Sequence, residues 1–386
     1  SGNRVIDHST IGKFLVRFKK ELIEMFVQTV QLAIEKGLVN FEVLSIDSVK
    51  IRANASSKKD KSIDGLNRLE DTIKEKLTRF MDDVDRDERR DEEIEALRRQ
   101  EARVVEAKEE LRKRIEKKKE GKSGKELEKI EKNEKINLTD FDSHTMQQAN
   151  GEINPAYSMT TAVDAHHDII THFQINEEDN DGKALVPVIE GSREKCGQSH
   201  EIVAADAGFA SLDNYEKLAA MNQEALIPDR RYDVDRRGVQ KKGAFDTYHF
   251  TYCPETNWYQ CPHGIPLFFQ NEYSAGGRNF FRYANRAACL SCCDRTRCTK
   301  SEYRTITRDK KEGYREAMRH CLSKSENKEK YKRRSHCSES PNGNIKHNLK
   351  YRIYMRRGRD KVAMEGSLLC MMHNILKMGN FSMQML

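Results

Sequence analysis

At 386 residues, with 34% charged side chains and a mean hydropathy of −0.84, the chain can bury cores for two or three domains and is too polar to live within a bilayer. No apolar run approaches the ~20 residues of a membrane span. The formal charge of +7 is unevenly spread: Lys324 to Lys361 holds 13 Lys/Arg against 4 Asp/Glu, a local net of +9, and with no apolar face beside it this stretch points to nucleic acid before membrane.

In chain order, SGNRVIDHST shows no apolar signal segment, so a cytoplasmic protein is expected. Apolar positions at helical spacing over residues 11–38 predict a helix, with N-cap candidates in Asp7-His8-Ser9-Thr10 and a stop at Gly37. VLSIDSVKIR, residues 43–52, is an apolar run that meets a single aspartate, Asp47, before a second short β-like run. An Asp47-Ser48 turn between two strands is expected there on one reading, and a carboxylate held by a rigid strand for metal chemistry on the other. Residues 58–136 are dominated by Lys, Arg and Glu. Leu66, Leu69, Ile73, Leu77, Phe80, Met81 and Val84 form one apolar stripe, and Ile94, Leu97, Val104, Leu111 and Ile115 a second, which predicts a charged antiparallel helical hairpin. From Tyr157 the periodicity changes to 2: AYSMTTAVD and DIITHFQIN read as a β-hairpin turning at His166-His167. A helix (ALVPVIEGSREKC), a strand ending in Asp206 (EIVAADAGF), a helix (LDNYEKLAAMNQ) and a strand (EALIP) follow, an α/β pattern around a mixed sheet.

Two strands ending in a carboxylate, Asp47 and Asp206, suit two-metal phosphoryl transfer, because Mg²⁺ takes oxygen ligands and two such ions activate one oxygen while stabilising another. A structural Asp at a strand end is the competing reading. A third acid is available in Glu339, which stands alone in the basic stretch YKRRSHCSESPNGNIKHNLKYR, with Lys346 seven residues on and so on the same face of a continuous helix. A lone Glu offsetting repulsion on a basic helix is the alternative.

Taken together these segments resemble the DDE transposases of bacterial insertion sequences, in the group with a helical insert and a four-Cys module before the catalytic Glu. SIDSVKIRANAS resembles the first-Asp motif, VAADAGF the second-Asp motif and ESPNGNIKHNL the region of the Glu, while HSTIGKFLVRF, AYSMTTAVDAHHDIIT, EDNDGKALVPVIE and HNILKM resemble the segments between and around them. The resemblance implies a ribonuclease-H-like α/β fold, two Mg²⁺ or Mn²⁺ ions on Asp47, Asp206 and Glu339, and cleavage and joining of double-stranded DNA at element ends by a nucleoid-associated protein, with a homodimer as the expected way to bring two ends together. The sequence departs from the family's pattern at Ser48-Val49 and at Ser338, Ser340 and Asn342. These departures motivate an alternative, a catalytically impaired DNA-binding protein or repressor.

The resulting organisation is a remnant N-terminal helical region (1–40), a ribonuclease-H-like core (41–57 and 137–245), the helical hairpin insertion (58–136), a Cys-rich insertion (246–305) and a basic C-terminal part of the core (306–386). Expected DNA contacts are Lys50, Arg333, Arg334, Lys346, Lys350, Arg352, Arg356 and Arg357. Cys261, Cys289, Cys292 and Cys298 have the spacing of a structural Zn²⁺ site of zinc-ribbon type, with Cys253, His263 or Cys293 as alternative ligands. Aromatics in the same insert, Trp258 and Phe268 among them, serve either as the core of a small domain or for stacking on an unpaired base. There is no Gly-x-Ser-x-Gly elbow, Walker loop or G-x-G-x-x-G, and His373 reads as a core histidine.

Overall fold

The computed structural model of the chain describes residues 7–82, 88–120, 124–148, 150–176, 178, 181–229, 232 and 243–384. The N-terminal segment forms two helices where one was expected, α1 (His8–Arg17) and α2 (Lys19–Glu35), separated at Phe18. The apolar spacing of α2 buries Leu22, Phe26, Val30 and Ala33. It stops at Gly37, whose φ of +70° is cheap only without a Cβ.

The strand β1 (Val43–Arg52) is a single ten-residue strand, so the expected turn at Asp47-Ser48 does not form. Both of its faces are covered, which removes the need for a break: Leu44 and Ile46 pack on one side, Val49 and Ile51 on the other. The chain then leaves the sheet through β2 (Asp60–Lys61) and enters α3 (Ile63–Asp82) and α4 (Glu88–Lys119), which run antiparallel. Leu66 and Ile73 of α3 interlock with Val104, Ala107, Leu111 and Ile115 of α4, and Lys108 bonds Glu70 across the pair. A third helix, α5 (Lys125–Asn133), was not anticipated. The strand β3 (Ile136–Asn137) pairs with β2, closing the base of the hairpin where the chain returns.

The main sheet is completed by β4 (His144–Gln147), β5 (Ile153–Asp164), β6 (Ile169–Ile175), β7 (Ile202–Ala205) and β8 (Glu224–Leu226). Antiparallel β5 lies on one edge of β1 and parallel β7 on the other, with β8 parallel to β7 and with β4 and β6 sharing the far edge of β5. Helices α6 (Leu185–Cys196) and α7 (Leu212–Ala220) cover the face of Leu44 and Ile46. Each fully buried Leu or Ile in these layers stabilises the fold by about 1.5–3 kcal/mol. This mixed α/β arrangement is compatible with a ribonuclease-H-like core.

A second sheet is antiparallel throughout: β9 (Thr251–Cys253), β10 (Trp258–Gln260), β11 (Pro266–Ala275), β12 (Arg278–Ala284) and β13 (Thr305–Asp309), in the order β13-β12-β11-β10-β9. Two short helices, α8 (Arg286–Leu290) and α9 (Arg295–Cys298), bridge β12 and β13. Since β13 pairs with β12 as far as Asp309, this unit runs past the boundary at 305 read from the sequence. The chain returns to the main sheet through α10 (Glu312–Ser323), α11 (Ser325–Gly343), a π-turn over Asn344–Asn348 and α12 (Arg359–Gln384), which packs on α2 and β6.

Candidate active site

The parallel register of β1 and β7 pairs Val43 with Ile202 and Ile46 with Ala205. One residue further along each chain, Asp47 and Asp206 therefore stand side by side. The strands then diverge. Asp206 leaves the sheet as the N-cap of a 3₁₀ turn over Ala207–Phe209 and accepts a hydrogen bond from the Gly208 N–H at 2.8 Å. A Cβ on Gly208 would lie 2.9 Å from Asp206 Oδ1, so this close approach requires glycine. Asp47 stays in β1, opposite Thr161 of β5. On its other edge β1 has lost β7 and gains backbone partners again only at Arg52, whose N–H donates to the Arg352 carbonyl at 3.2 Å and whose carbonyl accepts from the Tyr354 N–H at 2.9 Å. Asp47 thus opens into a gap in the sheet.

The gap is filled from α11 and the π-turn. Asn342 Nδ2 donates to Asp47 Oδ2 at 3.0 Å, while its own Oδ1 is buried without a partner among the described residues. Arg334, two turns earlier, faces the same carboxylate, and its Nε and one terminal nitrogen are likewise buried and unpartnered among the described residues. Burial is the dominant influence on Asp47 and pushes its pKa up to about 6. The Arg334 charge opposes that rise, the neighbouring Asp206 charge adds to it, and the hydrogen bonds from Ser48 and Asn342 oppose it again. Lys346 is half-buried in the π-turn; burial lowers the pKa of its ammonium, and Asp47 partly restores it.

Pro341 lies inside α11, where it cannot donate the helical hydrogen bond, and the backbone widens into the π-turn immediately afterwards. The 3.6-residue phase linking Glu339 to Lys346 is therefore broken, and their expected common face does not follow from spacing. Glu339 is in α11, one turn before Asn342, but its side chain lies outside the described residues.

A buried polar network pins this segment. Lys377 of α12 donates to Asp168 Oδ2 at 2.8 Å and to Ser340 Oγ at 3.1 Å. His373 Nε2 donates to the Asp168 carbonyl at 2.7 Å, which leaves Nδ1 to accept from Asn344 Nδ2 at 3.1 Å. Burial lowers the His373 pKa to about 4, so the ring is neutral, as a core histidine should be. Asn342 and Lys377 escaped the sequence reading: Asn342 stood out only as a departure from a motif, and Lys377 lies on an apolar helix far along the chain.

The other expected DNA contacts are dispersed. Lys50 alternates to the opposite face of β1 from Asp47 and donates to the Gln147 carbonyl at 3.3 Å. Arg333 is exposed, 3.9 Å from Glu42. Lys350 and Arg352 are exposed just beyond the π-turn. Arg356 stands 3.8 Å from Glu365, and Arg357 donates to the Asn54 carbonyl at 2.8 Å.

Residues 260–379 match the family model described as a transposase DDE domain. The chain carries a transposase DDE domain. The match begins downstream of Asp47 and Asp206 and takes in α11 with Glu339. The match covers 120 of the 386 residues and indicates a family of DNA-cleaving and DNA-transferring enzymes, whose members generally use divalent metal ions. No curated protein and no solved structure gives a match. No described helix is long and apolar enough to cross a membrane.

The zinc centre expected of Cys261, Cys289, Cys292 and Cys298 finds no support as a metal-ligand group, although the fold brings the four residues to one place. The four thiols line one apolar pocket of about 30 Å³ with Phe245, Phe250 and Leu267. Among the described residues, however, no three His, Cys, Asp or Glu side chains are grouped to hold a metal ion. All four are free cysteines. Cys261, Cys289 and Cys298 pack beside the aromatic core of the antiparallel sheet.

Proposed function

We propose that this protein is a DNA transposase that cleaves and joins strands at the ends of an insertion sequence, with Asp47, Asp206 and Glu339 as its acidic set. One observation carries the reading: the β1–β7 register sets two carboxylates side by side in a gap of the sheet, under the helix that bears the third acid. An Asp47 carboxyl raised to about 6 by burial, next to a second carboxylate, is a site that a hard cation would relieve, and its all-oxygen donors fit Mg²⁺ or Mn²⁺. Two such ions, when bound, would activate the attacking oxygen and stabilise the leaving one.

The chain's own residues divide the remaining work. Asn342 fixes the orientation of the Asp47 carboxylate through its Nδ2–H. Arg334 keeps guanidinium N–H groups without a partner among the described residues near Asp47, where an extra phosphate oxygen charge would develop in the transition state. Lys346, with exposed Lys350 and Arg352 beyond it, extends positive charge from the gap along a phosphate backbone. A second copy of the chain would hold the other end of the element.

The test is strand cleavage and transfer on duplex DNA carrying the element's end, with Mg²⁺ or Mn²⁺, comparing the wild type with Asp206→Ala. Metal-dependent product from the wild type alone supports the proposal. Equal DNA binding by both proteins, with product from neither, overturns it and leaves a DNA-binding protein.

A further inference from the structure

The antiparallel sheet sorts its aromatic residues onto two faces. Cross-strand pairs set Tyr252 opposite Tyr259, Tyr259 opposite Leu267, and Phe269 opposite Tyr283, which faces Ile306. That face is the core of the unit: Tyr259, Leu267, Tyr283 and Ile306 are buried, and the rings of Tyr252, Tyr259 and Tyr283 meet at 5.1–6.1 Å. Because side chains alternate along a strand, the intervening residues share the opposite face. There Trp258 lies opposite Phe268, and Tyr273 opposite Phe280.

This second face is partly open to solvent: Phe268 and Arg282 are exposed, and Trp258, Tyr273 and Phe280 are half-buried. Phe268 is 52% exposed, an unusual position for a large ring with Trp258 beside it. Tyr273 and Phe280 stack on each other at 5.5 Å with 27° between their planes, and the Arg282 guanidinium lies 4.8 Å over the Tyr273 ring. Arg282 makes no ion pair among the described residues, while Arg278 at the end of the same strand is held by Asp309 at 2.7 Å. The unit's need for a core is met on the other face by different rings, Tyr259 and Tyr283 among them. On this one, flat π-surfaces alternate with cations on a rigid sheet.

We propose that this face, built from Trp258, Phe268, Tyr273, Phe280 and Arg282, binds unpaired bases of single-stranded DNA. Exposed rings offer stacking partners to any base whose face is free, and a duplex hides those faces inside its own stack. Arg282 supplies the charge complementarity for the phosphates of the same strand. The inference rests on the reading of the chain as an enzyme acting on DNA, and it assigns to the Cys-rich unit the single strand that cleavage or strand separation at an element end would release.

Trp258 is the only tryptophan in the chain, so its fluorescence reports on this face alone. The full chain, in metal-free buffer, is titrated with an oligothymidylate of about ten nucleotides and, separately, with a blunt duplex of similar length. Quenching by the single strand and not by the duplex is expected. Phe268→Ala should weaken that binding roughly tenfold, and Phe268→Leu, which keeps the apolar bulk but not the ring, nearly as much. Arg282→Gln should weaken it several-fold and flatten its salt dependence. Absence of quenching, equal quenching by the duplex, unchanged affinity in Phe268→Ala, or a quench that follows protein concentration without any DNA would each overturn the proposal, the last by showing that a second copy covers the face. The catalytic reading is separable: strand cleavage without quenching keeps that reading and removes this one, whereas quenching retained in an Asp206→Ala chain, with no cleavage by the wild type, does the reverse.

Discussion

The two sheets of this protein handle charge in opposite ways. The six-stranded mixed sheet is packed on both faces and holds Asp47 in a gap where burial, with the Asp206 charge adding to it, lifts its pKa to about 6. The five-stranded antiparallel sheet packs one face and leaves Arg282, Arg278 and the Phe268 ring at the other, where water screens the charges. A charge in the low dielectric of the first sheet changes the chemistry of its neighbours, whereas the same charge on the second changes mainly what the surface attracts. This contrast assigns chemistry to one unit and recognition to the other.

The sharpest way to break the contrast is at the acids. Asp206→Ala should lower the rate of metal-dependent strand cleavage by roughly a thousandfold or more while leaving DNA retention in a mobility-shift assay unchanged. If cleavage survives, the register argument fails. Next in size is the buried core of the second sheet: Tyr283→Ala should destabilise that unit by about 3–5 kcal/mol, visible as loss of amide-exchange protection over β10–β13 with β1, β5 and β7 still protected. A uniform loss would show that the two sheets unfold as one.

Arg334→Ala should cost about a hundredfold in cleavage rate, the usual effect of removing one buried donor aimed at developing charge, with Arg334→Lys intermediate. Arg282→Gln should leave cleavage of a duplex end untouched. Equal effects of the two arginines would erase the difference between the sheets.

A pH test separates them by stability. The Asp47 carboxyl holds its proton more tightly in the folded than in the unfolded chain, from an ordinary value of 3.8 up to about 6. Its favourable contribution to metal-free stability is therefore full below about pH 4 and is lost as pH rises through about 6. Asp47→Asn, which cannot ionise, should match the wild type in acid and exceed it by on the order of 2–3 kcal/mol above pH 6.5, read from thermal or urea denaturation without metal. A gap that stays constant with pH would show that burial of this carboxylate is not what shifts it. The smallest effect is expected on the open sheet, where Lys310→Ala removes a 3.4 Å pair with Glu272 between two well-exposed side chains. Stability should change by less than about 0.5 kcal/mol, and less still at high salt.

Much of this architecture was legible in the chain. The 3.6-residue stripes of Leu66–Leu77 and Val104–Ile115 named a hairpin that the structure contains, because a helix buries one stripe whatever else it touches. The alternation from Tyr157 and the short runs ending at Asp206 located β5, β6 and β7 for the matching reason, a period of 2 on a packed sheet. The failures were of a different kind. The turn expected at Asp47 vanished because a strand covered on both faces runs straight through a charge when a gap in the sheet accommodates it. The four cysteines at metal-ligand spacing do share a pocket, but no group of three metal ligands is found among the described residues, so the zinc expectation stands without support. The regular helical phase from Glu339 to Lys346 is interrupted at Pro341 and the π-turn, and the Glu339 side chain that would decide their common face lies outside the described residues.

By itself, then, the sequence determined the elements, the paired aspartates and the basic stretch near the third acid, because periodicity, charge and short motifs are local properties of a chain. Tertiary structure alone decided that Asp47 and Asp206 are neighbours, that Arg334 and Asn342 converge on Asp47 from nearly 300 residues away, and which face of the second sheet stays open. Those are matters of register and packing, and they depend on which strand lies beside which, a fact that no stretch of sequence contains.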